Sequence, residues 1–122
     1  MRTSLLAILL GALMVAPFVA QDATIYDSKA DGITLPQVTR QVKAQYTAEA
    51  MRQMIEGDVL LGVVVQADGA VGAVDVKESL DAVYGLDQEA VKAMKQWQFR
   101  PGMKDGKPVN VRVDVTMRFT LK

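Results

Sequence analysis

Polar and apolar residues alternate most regularly near the end of the chain. Val109, Val111, Val113, Val115, Met117, Phe119 and Leu121 are separated by Asn110, Arg112, Asp114, Thr116, Arg118 and Thr120. A period of two predicts a strand with one buried face and one wet face. Upstream, the stretch from Val59 to Val76 reads VLLGVVVQADGAVGAVDV, two apolar runs joined through Asp68-Gly69. Asp-Gly in that setting predicts a hairpin with a two-residue type I′ turn, because both central residues must take φ > 0. The register then sets Ala67 against Ala70, Val65 against Gly72, Val63 against Val74 and Leu61 against Val76. All four pairs share one face, and a one-residue slip would mix core and solvent. Strands are expected near Val59–Ala67 and Ala70–Ser79.

A lone hairpin is marginal in water, so its apolar face needs further layers. Two segments with helical spacing supply them. Thr47 is placed to N-cap a short helix with Glu49 in its first turn and Gly57 as its C′ stop. Ala50, Met51, Met54 and Ile55 form its apolar face, and both methionines read as core. Asp87 is placed to cap a second helix, with Leu86 and Val91 spaced for a hydrophobic staple. That helix is expected to run to about Trp97, burying Ala90, Met94 and Trp97. Arg100-Pro101-Gly102 ends it, since the residue before Pro leaves the α region. Asp105-Gly106 turns the chain again. Ile33–Tyr46 carries Leu35, Val38 and Val42 without a clean period, and Pro36 allows only an edge strand or extended arm.

These elements predict an α+β fold. A three-stranded mixed sheet, with an N-terminal edge strand as an option, carries two helices on one face. The first hairpin strand lies in the middle and Val109–Leu121 beside it at an edge. The strands joined through the second helix run parallel by a right-handed crossover.

The 122 residues suffice for one domain with a core. Lys+Arg and Asp+Glu are 14 each, which gives no basic excess for nucleic acid. The absence of Cys and His excludes disulfides, thiolate nucleophiles, imidazole bases and most zinc sites. No cofactor or metal is expected. Asp68 and Asp105 are turn residues, Asp75 and Asp114 are outward strand positions, and their spacing fits no EF-hand loop. Ser79 with Asp81 lacks a His partner, and no Lys-based dyad is indicated, so catalysis is the least favoured class.

The first twenty residues have the layout of a secretory signal. Arg2 precedes the uncharged apolar run Leu5–Val15, followed by Pro17 and Ala20. Cleavage after Ala20 would put the bulky Phe18 at the −3 position. The uncharged run from Thr3 to Ala20 is also close to the shortest that spans a bilayer, which keeps a retained anchor open. The expected organisation is 1–20 signal peptide or anchor, 21–32 flexible linker and 33–122 folded domain. Without Cys, the product is not a Cys-acylated lipoprotein.

Several pieces recur at fixed order and spacing: Tyr46-Thr47-Ala48-Glu49-Ala50, Glu56-Gly57 leading into the Val-rich strand, Asp68-Gly69, Val76 through Ser79, Leu86-Asp87, Trp97-Gln98-Phe99-Arg100-Pro101 and Asp105-Gly106-Lys107-Pro108-Val109, with Phe119-Thr120-Leu121 closing the last strand. Together, from about Ile33 to Lys122, they resemble the C-terminal domain of TonB and its relatives. Each piece alone is common; the ordered set is specific, the W-x-F-x-P step most of all. The resemblance implies a periplasmic module that binds a short extended segment, the TonB box, of outer-membrane receptors. In full energy transducers a membrane helix couples this module to a proton-driven motor, and a Pro-rich spacer crosses the periplasm. Here Pro occurs only at 17, 36, 101 and 108, and the apolar N-terminal stretch lacks the His of full transducers. Ala44 stands where relatives often have Pro before the Tyr. The resemblance therefore implies the binding module more than the force-transmitting parts.

Two surfaces are candidates for binding. The first is the edge of the last strand, through Val109, Val111, Arg112, Val113, Asp114, Val115, Thr116 and Arg118. There an extended segment of an outer-membrane receptor or another envelope protein would add by β-augmentation, and Ile33–Val42 would be the internal competitor. The second is a basic patch of Lys92, Lys95, Arg100, Lys104 and Lys107, weighed against a plain solvated face. The alternative function is a structural or regulatory envelope protein that uses the same edge for self-association, as a homodimer, or for another periplasmic partner, without energy transduction. Membrane contact is expected only if the N-terminal segment is retained. N-terminal sequencing of the exported protein tests that point. A mature start near Gln21 in the soluble periplasmic fraction marks a cleaved signal, and an intact Met1 found only with detergent marks an anchor.

Overall fold

The computed structural model describes residues 23–122. The expected signal segment, 1–20, lies outside the described residues. Among those described, eight strands and two helices follow in the order β1 (Ile25–Asp27), β2 (Ile33–Thr34), β3 (Gln37–Arg40), α1 (Ala48–Arg52), β4 (Gly57–Val65), β5 (Val71–Glu78), α2 (Leu86–Met94), β6 (Gln98–Arg100), β7 (Gly102–Lys104) and β8 (Lys107–Phe119). The main sheet has the order β2-β7-β8-β4-β5, with β1 pairing β8 from outside that path. β3 and β6 form a separate two-stranded ribbon.

β4 is central, as its Val-rich composition demands. It pairs antiparallel with β5 on one side and with β8 on the other, the latter without a break from Gly57↔Phe119 to Val65↔Val111. Val59, Leu61, Val63 and Val65 are fully buried. With Met117 and Phe119 of β8 they meet Ala50 of α1, Leu86, Ala90, Ala93 and Met94 of α2, and Trp97 and Phe99. Burying such side chains supplies about 1.5–3 kcal/mol each. The expected α+β arrangement, with both helices contributing to one core, is what the chain adopts.

The hairpin pairs Leu61 with Val76 and Val63 with Val74 as expected, but its turn differs. Gln66 O accepts from Gly69 N at 2.8 Å, and Gln66 N donates to Ala70 O at 2.9 Å. Gly69 is left-handed with φ 88° while Asp68 is not, so the loop has three residues, Ala67–Gly69. Val65 then pairs with Val71 rather than Gly72, and a register shift restores the Val63 row. A tertiary contact selects this turn. Gly69 O accepts from Phe99 N at 2.9 Å, and a Cβ on Gly69 would sit 2.2 Å from Phe99 O. The type I′ turn occurs at Asp105-Gly106 instead, with φ 51° and 77°, between the paired Lys104 and Lys107.

Thr47 caps α1 as expected, its Oγ1 accepting from Ala50 N at 3.1 Å. The stop is Met54, not Gly57. Met54 has φ 56°, its N–H bonds Met51 O, and Ile55 N–H bonds Ala50 O, which is a Schellman closure without glycine. α1 is only five residues long, so Met51 and Met54 turn outward, 48% and 75% exposed, rather than into the core. α2 begins at Leu86, one residue before the expected cap, and ends at Met94. Asp81 caps it from outside, accepting Leu86 N at 3.1 Å, so Asp87 lies in the first turn and Leu86 is already helical.

The stretch 21–32, expected as a linker, contributes β1, which pairs parallel with β8 at Asn110–Arg112. The arm Ile33–Val42 does not compete for the edge of β8 by pairing with it. β2 pairs with β7 and β3 with β6, short strands where the sequence pattern predicts only the helix end and the Asp105-Gly106 turn. Gly102 permits this layering, since a Cβ there would lie 2.5 Å from Val111 Cγ2 and 2.9 Å from Thr34 O.

Trp97 is buried, as expected, and its Nε1–H donates to Val42 O at 2.9 Å. Trp97→Ala is expected to cost about 3–5 kcal/mol in denaturant unfolding. Trp97→Phe, which keeps the ring and loses the donor, is expected to cost about 1 kcal/mol.

Candidate functional site

A residue in a strand directs its N–H and C=O to the same edge, and its neighbours direct theirs to the other. Ser28 N donates to Arg112 O at 3.1 Å, so Arg112 faces β1. With the register unbroken, Val113, Val115, Met117 and Phe119 face β4, and Asp114, Thr116 and Arg118 face outward. Among the described residues, no strand pairs with β8 on that side beyond Arg112. Val109 pairs with Gly102, and Val111 is buried between Tyr26 and Val65. The open stretch of the predicted edge therefore begins at Val113.

Two hollows follow this edge. The first, about 500 Å³, is bounded by Arg112–Val115 on β8, by Asp27–Lys29, and by Leu35, Pro36, Val38 and Phe99, with Lys77 at its rim. The second, about 400 Å³, lies between Thr116–Arg118 and Gln41–Ala44, against Trp97. The arm from 35 to 44 thus forms a wall facing the strand. Leu35 and Val38 on that wall are 53% and 42% exposed.

The wet face of β8 is largely paired. Arg118 Nε and Nη2 bind Asp58 Oδ1 and Oδ2 at 2.9 and 3.1 Å. This fork holds the Asp58 carboxyl below its ordinary value and the Arg118 guanidinium above its own. Lys77 Nζ is 3.1 Å from both Asp114 oxygens. Arg112 is held more loosely, 3.9 Å from Asp75. All of these groups are exposed enough for water to weaken the pairs.

The basic-patch residues are divided among separate settings. Lys92 and Lys95 line a hollow of about 480 Å³ with Val76 and Val91, on the α2 side of β5. Arg100 Nη1 contacts Gln37 Oε1 at 3.3 Å. Lys104 lies 3.6 Å from Asp105 and 5.9 Å from the Tyr26 ring centroid. Lys107 borders a hollow with Tyr26 and Asp68. The sequence pattern predicts the arm but neither its pairing with β6 and β7 nor β1, because these short exposed strands carry no hydrophobic period.

Ser79 and Asp81, the pair considered for nucleophilic chemistry, build the loop before α2. Ser79 Oγ donates to Asp87 Oδ2, and Asp87 Oδ1 accepts from Leu80 N and Asp81 N, both at 3.0 Å. Asp81 accepts from Val83 N, Tyr84 N and Leu86 N at 2.8–3.1 Å.

The geometry defines a class: a small α+β domain with helices against one face of a mainly antiparallel sheet and one strand edge left open. The solution NMR structure of the Pseudomonas aeruginosa TonB CTD is similar, with a TM-score of 0.58 and 25% identity, covering 79% of this chain and 93% of that one. Residues 42–121 match the family described as Gram-negative bacterial TonB protein C-terminal, and the chain belongs to that family. Protein TonB of Vibrio cholerae serotype O1 is 36% identical over 88 residues, 70% of this chain and 34% of that protein. Protein tonB2 of Pseudomonas aeruginosa is 42% identical over 77 residues, 63% of this chain and 28% of that protein. The chain thus spans about a third of the length of these relatives or less. β1, β2 and β3 all precede the residues matched to the family, 42–121.

The loop carboxylates give a pH prediction. Burial would raise the Asp81 carboxyl, but the N–H groups of Tyr84, Leu86 and Val83 hold it below its ordinary value. A lowered folded-state value stabilises fully above the unfolded pKa of about 3.9 and is lost as pH falls through the folded value. Urea midpoints of the wild type are expected to drop below about pH 4. Asp81→Asn is expected to start lower at pH 7 and to show a shallower acid limb.

Proposed function

We propose that this chain is a periplasmic protein-binding module, not an enzyme, that takes up an extended segment of an outer-membrane receptor. The segment adds to the β8 edge, where its backbone bonds the outward groups of Asp114, Thr116 and Arg118. One observation carries the reading. A strand with nine unbroken pairs to the sheet centre leaves these backbone groups without a strand partner among the described residues. Unpaired edges invite pairing, and proteins that do not use them blunt or cover them. Membership of the family supports the choice of partner, and the apolar, Arg2-led N-terminus supports export. The binding role needs no force transmission.

A second reading, self-association, is favoured by the sequence of the same edge. Antiparallel pairing of two copies about Thr116 would set Asp114 of one opposite Arg118 of the other. A photocrosslinking residue at Asp114, used in intact envelopes, separates the two. Adducts with a receptor's N-terminal segment support the first reading, and adducts only with a second copy support the other.

Proline substitution tests the edge itself. Thr116 directs its N–H outward, so Thr116→Pro is expected to fold with a thermal midpoint close to wild type and to lose the crosslinked partner. Val115→Pro removes an N–H that faces Leu61 and is expected to cost about 2–3 kcal/mol. A folded Thr116→Pro that keeps its partner would place binding elsewhere, with the Lys92–Lys95 hollow next in line.

A further inference from the structure

Leu35 and Val38 are large apolar side chains held in water, although the segment bearing them is anchored. β2 is fixed on β7 through Ile33↔Lys104 and Thr34↔Met103, and β3 on β6 through Gln37↔Arg100 and Val38↔Phe99. Trp97 holds the same segment at Val42. An anchored backbone carrying exposed apolar groups along a groove is a preorganised contact surface, because the ordering entropy is spent in folding rather than on binding. These residues precede 42–121, the part matched to the family, while the similarity to the solved TonB CTD extends over 79% of the chain.

A strand added to β8 continues the pleat. One set of its side chains extends the row of Val113 and Val115 and meets Leu35 and Val38 across the 500 Å³ hollow. The other set extends the row of Arg112 and Asp114 on the wet face. The charge along the groove is unbalanced. Lys29, Lys77 and Arg112 in the first hollow and Lys43 and Arg118 in the second stand against Asp27 and Asp114 there and against Asp75 and Asp58, which lie beside Arg112 and Arg118, so one positive charge is left over. Such a surface attracts an anionic segment and disfavours a cationic one.

We infer that Leu35 and Val38 are specificity-determining residues, and that the segment they select is acidic, with β-branched or other apolar side chains at every second position. The inference rests on the β8-edge reading given above and adds the chemistry of the partner. Leu35 and Val38 grip the apolar row, and Arg112 with Lys29 favours the acidic one.

The test uses three N-acetylated, C-terminally fluorescent peptides and the whole exported domain. The first is Glu-Val-Thr-Val-Glu-Val-Thr, the second replaces each Val with Ser, and the third replaces each Glu with Lys. By fluorescence anisotropy, the wild type is expected to prefer the first over either other by about tenfold. Leu35→Ser with Val38→Ser is expected to erase the preference for Val over Ser while retaining that for Glu over Lys. Both sites are exposed, so the thermal midpoint should stay near wild type. Should the double variant fail to fold, Val38→Thr, which keeps the β-branched shape within β3, is expected to lower the Val preference alone. Thr116→Pro separates this inference from the reading beneath it. If that variant no longer binds the first peptide but the Leu35 and Val38 variants keep the full preference for Val, the wall inference is overturned and the edge stands. If it binds like wild type, the edge reading fails and this inference with it. If the wild type binds none of the three, or binds all equally, the partner chemistry inferred here is wrong.

Discussion

The bond from Trp97 Nε1–H to Val42 O joins two parts of the chain 55 residues apart and sets the shape of the groove. Trp97 follows the end of α2, where its ring fills the core beside Phe99, with centroids 6.1 Å apart. Its one polar group must find an acceptor when the ring is buried. The acceptor it finds is a carbonyl on the arm, so the core and the wall facing β8 are positioned by one side chain. Tyr46 adds a second tie from the same segment, its ring edge-on to Phe119 at 5.4 Å and its hydroxyl donating to Ile55 O. These ties fix the end of the arm at Val42 and Tyr46, and the pairing of β2 with β7 and of β3 with β6 fixes the rest.

The two outer strands flanking β4 are built differently, and the difference bears on use. β5 carries a register shift near each end of its pairing with β4, and Asp75, Lys77 and Glu78 lie along it. Shifts twist an edge away from regular pairing, whereas charges lie along both strands, with Arg112, Asp114 and Arg118 on β8. β8 has no shift against β4 over nine pairs. Its first part is covered by β1 and its remainder is left open beside an apolar wall. Protection on one edge and exposure on the other is the asymmetry expected of a sheet with a single docking edge.

The sequence carried the elements that depend on burial. The alternation from Val109 to Leu121, the Val63↔Val74 register and the core position of Trp97 all follow from apolar periodicity, because a slip in any of them would put a hydrocarbon face in water. It did not carry choices made by backbone contacts. Asp68-Gly69 and Asp105-Gly106 present the same local signal, yet only the second forms the tight turn, since Gly69 is drawn onto Phe99. The helix stop at Met54 likewise hides behind a side chain that rarely takes φ > 0. β1, β2 and β3 expose most of their side chains and are held mainly through main-chain pairing, so no pattern of polar and apolar residues announces them. The candidate edge was legible as a strand, but its usable length was set by β1, and its facing wall by β2 and β3.

That length bounds what the backbone alone can do. Asp114, Thr116 and Arg118 offer one N–H and one C=O each, so an added strand gains at most six main-chain bonds on this stretch. At a net contribution of about 0.5–1.5 kcal/mol per bond, the total is about 3–9 kcal/mol. Association of two molecules costs about 4–15 kcal/mol in lost translation and rotation. The ranges overlap so closely that main-chain pairing gives register without useful affinity. The surplus must come from side chains, and the apolar atoms not yet removed from water at this edge are those of Leu35 and Val38, with Val113 and Val115 half-buried opposite them. Burying roughly 100 Å² of such surface is worth about 2.5 kcal/mol. That is enough to shift binding by nearly two orders of magnitude. On the proposed reading, an edge shortened by β1 is one whose partner is chosen by side chains, because the backbone has too few bonds to hold every extended segment that fits.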